Sequence, residues 1–297
     1  MAEETTQPQA AGAASSSSAR QVVARHPVAT FLVVCYAVNW AVVLPPLRIQ
    51  GGLPFGLQLW ESLGTLLGVA LPAFLVVAAS DGRTGVRDLT HRCLRWRVGA
   101  RWYLVALLGV PIAVVLCATA LFGSVPLTAL VDKGGLLLTL VLPQLLLLVV
   151  LFNVAEEIGW TGFMQARLQE RHGPLKASLM VTIPFALFHV PALFVESGLV
   201  LALVILPFLA ILHLFARVVI MWLYNNARSS VLLVGLFHSS FNTTVDSVRQ
   251  FIPGPAMTTF WIATGVVSVA AVVIVVATKG RLSYEPKPGV RPTAAPE

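Results

Sequence analysis

The sequence predicts an all-α, polytopic membrane helix bundle of about eight transmembrane helices. Three observations predict it. Hydrophobic residues make up 57% of the chain and charged residues 11%, where a soluble domain carries about 25% charged. Apolar segments of about 20 residues, the length that crosses a bilayer, recur along the chain. Basic residues gather in every second loop between them, as the positive-inside rule requires.

The segments follow in order. Residues 1–19 are rich in Ala, Ser, Gln and Thr and belong to an expected disordered tail over 1–24. This tail does not read as a cleavable signal, because its small residues precede the apolar run. Spans are expected near 27–47, 55–79, 102–123, 135–157, 175–196, 199–223, 229–247 and 257–278. The fifth and sixth form one nearly continuous run, divided only by Glu196-Ser197-Gly198. A second disordered tail is expected over 281–297.

The loop charges support eight spans. Arg20 and Arg25 precede span one, and Arg83, Arg87, Arg92, Arg95, Arg97 and Arg101 lie between spans two and three. Arg167, Arg171 and Lys176 follow span four. Arg228 follows span six, with Arg217 just before it, and Lys279, Arg281, Lys287 and Arg291 end the chain. The opposite loops hold Arg48, then Asp132-Lys133, then Glu196, then Asp246 with Arg249. Both termini are therefore expected in the cytoplasm of a multi-pass cell-membrane protein. The net charge of +7 serves orientation, and no nucleic-acid partner is expected. Cys35, Cys93 and Cys117 form no CxxC pair and no even set, which disfavours a disulfide framework or thiolate zinc site.

Polar residues inside these spans point to function. An acidic side chain at a helix centre costs roughly 2.5–3.5 kcal/mol on insertion scales, so Glu156-Glu157 need partners. His189, His238 and Asn242 are the candidates, each inside another apolar segment. Residues four apart share a helix face. Glu157 and Thr161, Phe185 and His189, and His238 and Asn242 all have that spacing. Neighbouring Glu156 points about 100° away from Glu157, so the two carboxylates can do different jobs. In apolar surroundings this set suits amide hydrolysis. A desolvated carboxylate can act as general base on a water, a histidine can hold that water, and a His/Asn pair can stabilise an oxyanion. His213 and Arg217 are also four apart, and read as a snorkelling or packing pair.

The run Glu156-Glu157-x-x-x-Thr161, then Phe185-x-x-x-His189, then His238-x-x-x-Asn242 resembles the three motifs of the CPBP family. These are the CAAX-protease and Abi intramembrane glutamic endopeptidases, related to the type II CAAX prenyl protease. The resemblance covers residues 135–247 as a catalytic core, with N-terminal helices over 25–134 and a C-terminal helix over 248–280. It implies a bundle of eight helices with a cytosol-facing conical cavity, and peptide-bond hydrolysis near the cytoplasmic membrane surface. It implies Glu156 as general base, His189 holding the water, His238 and Asn242 as the oxyanion hole, and Glu157 in support. The expected partners are a peptide or membrane-protein substrate and the lipid bilayer. The alternative is a non-catalytic scaffold or immunity-type protein of the same fold. Two Glu, two His and an Asn could ligate zinc, but HExxH is missing and the resemblance implies no metal or cofactor. The family usually has Arg where this chain has Thr161. Glu157 must then find another cation, be protonated or sit in water, and we expect it to be partly neutral.

Overall fold

The computed structural model describes residues 20–45 and 56–286. The expected tails before residue 20 and after residue 286, and the outer-loop Arg48, lie outside the described residues. The described chain is helical, with no strand. Helix α1 is Pro27–Val43. Helix α2 runs from Gly56–Thr65 through a π-helical turn, Leu66–Ala70, into Leu71–Ser80. A short polar helix α3, Gly82–Cys93, precedes α4, Ala100–Phe122. Helix α5 is Val125–Asp132. Helix α6 covers Leu137–His172, and α7 is Pro174–Phe188. Helix α8, Val190–Asn226, is kinked at Gly198, which has φ 75°. Helices α9, Val231–Asp246, and α10, Ala256–Ala277, complete the bundle.

Six helical stretches among the described residues are long and apolar enough to cross a membrane, and Pro27–Val43 is a shorter apolar helix. The kink falls at the Glu196-Ser197-Gly198 break seen in the sequence, because glycine takes a positive φ without a Cβ penalty. Span four is longer than expected: its helix continues past residue 157 to His172. Each expected tail, 1–24 and 281–297, overlaps the described residues by a few positions. Residues 20–25 are helical, and Arg20 Nε donates to the Ala79 carbonyl at 3.2 Å. Leu282 is fully buried, and its carbonyl accepts from Asn225 Nδ2 at 3.0 Å. Burial of one leucine and satisfaction of its carbonyl hold the chain onto the bundle there.

Two apolar cores divide the bundle. One joins α1, α2, α3, α6 and α7 around Phe31, Trp160, Phe163 and Phe185. The other joins α4, α8, α9 and α10 around Val110, Met221, Phe237 and Val267. Leu104, Leu116, Val200 and Val273 remain outward and exposed, as helices in contact with lipid require. The two cores meet where α6 crosses α9. Gly235 permits that contact: a Cβ there would lie 2.7 Å from Val154 Cγ2 and 2.9 Å from its Cα.

The two ends of the bundle differ in charge. Arg25, Arg92, Arg95, Arg167 and Arg171, from three separate segments, line one cavity of about 950 Å³ at the same end. Arg92 pairs with Asp88 at 3.0 Å and Arg167 with Asp81. At the other end Lys133 Nζ donates to the Gln250 carbonyl at 3.2 Å, tying α5 to the turn after α9.

Candidate active site

Helix α6 supplies both glutamates. Its backbone makes π-helical turns on either side of them, at Val149–Asn153 and Ile158–Gln165. Such wide turns inside α-helices recur at functional sites. Gly159 lets this segment approach its neighbours closely, since a Cβ would lie 2.4 Å from Val69 Cγ1 and 2.9 Å from the Phe31 ring. Trp160 then packs edge-on against Phe31, Phe185 and Phe188, with ring centroids 5.4–5.6 Å apart.

Glu157 is fully buried and fully engaged. Arg217 of α8 forks onto it, with Nη1 to Oε2 and Nη2 to Oε1 both at 3.0 Å. Thr161 Oγ1 donates to Oε2, and Arg217 Nη1 also reaches Thr161 Oγ1 at 3.1 Å. His238 Nδ1 completes the set at 2.9 Å from Oε1. Paired fork-to-fork, this carboxylate is charged and accepts all these bonds. The expected partial neutrality of Glu157 is therefore wrong. The missing cation at position 161 is replaced by one from another helix.

Arg217 itself was misread. It lies nine residues before Asn226, roughly 13 Å along the axis at 1.5 Å per residue, and is 1% exposed. That depth rules out snorkelling. Its guanidinium carbon sits 3.9 Å from the centroid of the Phe185 ring, and Gln165 Nε2 bridges its carbonyl at 3.2 Å and Ser178 Oγ at 2.9 Å. A sequence signal existed: an arginine deep in an apolar span needs an acid, and Glu157 lacked a cation.

Glu156 points elsewhere, as the 100° step predicts. Its Oε2 lies 3.6 Å from His238 Nδ1. His189 closes the end of α7. Its backbone N–H turns to the Ala186 carbonyl at 3.1 Å. The Phe185 carbonyl accepts instead from His189 Nδ1 at 2.8 Å. A carbonyl only accepts, so Nδ1 carries the proton and Nε2 presents a lone pair when the ring is neutral. His213, also set aside in the sequence, has its ring 5.1 Å from that of His189.

Helix α9 holds His238 and Asn242. Ser230 caps it, accepting from Leu233 N–H at 3.1 Å while its hydroxyl donates to the Arg95 carbonyl at 2.6 Å. Ser240 ties the helix to α4 through the Leu107 carbonyl at 2.8 Å. The Glu157 bond takes His238 Nδ1, which leaves Nε2 for a further partner.

Two adjoining cavities of about 440 and 390 Å³ share Glu156, His189, Asn242 and Asp246. His238 and His213 line the second. The first also carries Asn39, Glu61 and Thr65, whereas the second is walled by Leu209, Phe237, Phe241 and Phe260. Of the five expected site residues, four thus line this space, and Glu157 sits behind it. Among the described residues no group of three or more His, Cys, Asp or Glu is placed to hold a metal ion. Both Glu157 oxygens are already committed to Arg217.

A family model described as type II CAAX prenyl endopeptidase Rce1-like matches residues 138–244. A CAAX prenyl protease 2 from Methanococcus maripaludis is 25% identical over 238 residues, covering 74% of this chain and 82% of its own. Over these residues the chain is similar to the CAAX protease family. That similarity supports a membrane endopeptidase. All five expected site residues, and Arg217, fall inside the matched segment.

Proposed function

We propose that the chain hydrolyses peptide bonds inside the membrane with a glutamate-activated water. One observation carries this reading: Glu156, His189 and Asn242 line both cavities, and His238 joins them in the second. Glu156 takes a proton from a water held by His189 Nε2. The oxygen of that water attacks the substrate carbonyl carbon. His238 and Asn242 receive the charge on the carbonyl oxygen, and the proton on Glu156 passes to the departing amine nitrogen. Oxyanion binding asks for a proton on His238 Nε2. The Glu157 carboxylate is the counter-charge for a ring so protonated, and Arg217 holds that carboxylate in place.

The test is cleavage of a quenched-fluorescence peptide library by purified, reconstituted protein. Glu156→Gln removes the base and is expected to lower the rate about 10²–10⁴-fold with the fold intact. His238→Ala is expected to lower kcat by about 10²-fold or more. No cleavage of any peptide by the unaltered protein would favour the non-catalytic scaffold.

A further inference from the structure

We infer that His213 binds the substrate backbone: its ring donates a hydrogen bond to the peptide carbonyl next to the cleaved bond, on the side where the substrate lies in the second cavity. The substrate named here rests on the protease reading. The unmet hydrogen bond behind it does not.

His213 belongs to none of the three motifs. It lies thirteen residues before Asn226, roughly 20 Å along α8 at 1.5 Å per residue, within the apolar stretch Ser197–Asn226. Leucine or phenylalanine would fill that place with no polar group to bury. Histidine at such depth is functional by default. The residue is 9% exposed, and its Nδ1 is enclosed with no hydrogen-bond partner among the described residues. Its neighbours are engaged elsewhere. Phe185 stands edge-on to the ring, with centroids 4.4 Å apart. His189 is 5.1 Å away, and its Nδ1 is given to the Phe185 carbonyl. Arg217, one turn along, forks onto Glu157, and His238 Nδ1 is held by the same carboxylate.

An unmet lone pair is cheaper to bury than an unmet N–H. The ring proton therefore sits on Nε2, and that edge of the ring is a donor. His213 lines the second cavity and not the first, so the acceptor comes from what enters the second. Glu156, His189 and Asn242 line both cavities, which puts the cleaved bond where the two meet. Leu209, Phe237, Phe241 and Phe260 wall the second cavity and suit an apolar side chain on the next residue. The peptide group of that residue still needs a partner once it leaves water. An extended chain advances about 3.4 Å per residue, which carries the next carbonyl from the water on His189 to the ring beside it. Phe185 holds that ring in place before substrate arrives.

Stability and kinetics together test this. His213→Phe keeps a ring and removes both nitrogens; His213→Leu removes them with a smaller side chain. Both are expected to raise the melting temperature in detergent by about 2–4 °C, since an unmet polar group leaves the interior. With peptides that the unaltered protein cleaves, both are expected to raise KM about three- to tenfold and to leave kcat within about twofold. His213→Gln keeps a donor and is expected to recover part of the loss in KM. A thioamide at the neighbouring peptide bond accepts more weakly through its sulfur. It should raise KM for the unaltered protein and leave it unchanged for His213→Phe. Lower melting temperatures in both His213→Phe and His213→Leu would mark a structural histidine and overturn the inference. An unchanged KM, a loss confined to kcat, or equal thioamide penalties in the two proteins would also overturn it. A protein that cleaves no peptide sinks the protease reading and this substrate with it, while higher melting temperatures in the two variants would still mark His213 as facing a ligand.

Discussion

Replacing Arg217 with Met should unsettle the molecule more than any other single change on α8. Arg217 is 1% exposed and Glu157 0% exposed, so water cannot take over the lost partner. Two charge-assisted hydrogen bonds of 3.0 Å disappear together, and a carboxylate is left in an apolar interior. Breaking a buried pair from one side costs about 3–5 kcal/mol. That is between two and four powers of ten in the folded-to-unfolded ratio, at about 1.4 kcal/mol per tenfold. The assay is reversible unfolding in detergent micelles, run as a cycle with Glu157→Leu and the double variant Glu157→Leu/Arg217→Met. The double variant removes both charges and should recover most of the loss, because an apolar pair of similar volume replaces a buried ion pair at little cost. Cleavage should not return with it, since His238 still lacks its carboxylate. If Arg217→Met unfolds within about 1 kcal/mol of the unaltered protein, or if the two single losses simply add, the pair is not what holds α6 to α8.

Thr161→Arg alone should lower the melting temperature, because a second guanidinium would crowd the one already 3.1 Å from Thr161 Oγ1. The same change in the Arg217→Met background should raise it, and a drop in both backgrounds would refute the exchange of cations. Gly235→Ala would place a methyl 2.9 Å from the Val154 Cα and should cost about 1–3 kcal/mol by overpacking. It should also lower kcat, as α9 carries His238; an unchanged rate would show that the α6–α9 spacing does not matter. Burial pushes the Cys93 thiol up to about 11, with Arg92 opposing. The thiolate is the reactive form, so Cys93 should ignore maleimide near neutral pH and react only as the pH approaches 11. Fast labelling at neutral pH would contradict its burial.

Much of the fold was legible because each span announces itself locally. Twenty apolar residues, a basic flank, or a Glu-Ser-Gly break can be read without knowing what lies beside them. The pairs at helical spacing were legible for the same reason. Phe185 and His189 do share a face, and their rings lie 4.8 Å apart. What the chain order hid was contact between helices. Arg217 meets Glu157 across 60 residues of sequence, and nothing within α8 says which acid it faces. Helix α3 was hidden differently. Its arginines read as a loop, yet Leu89 is wholly buried beneath them.

The cation's place on α8 has a consequence for biosynthesis. In the family's usual pattern an arginine one turn after Glu157 would neutralise it as that turn forms. Here Glu157 leaves the ribosome 60 residues ahead of Arg217. At roughly 2.5–3.5 kcal/mol for an acid at a helix centre, the nascent α6 must delay its departure from the insertion machinery, or enter lipid with a proton it later gives up. The active-site half of the bundle therefore cannot mature hairpin by hairpin: its fourth span waits for its sixth.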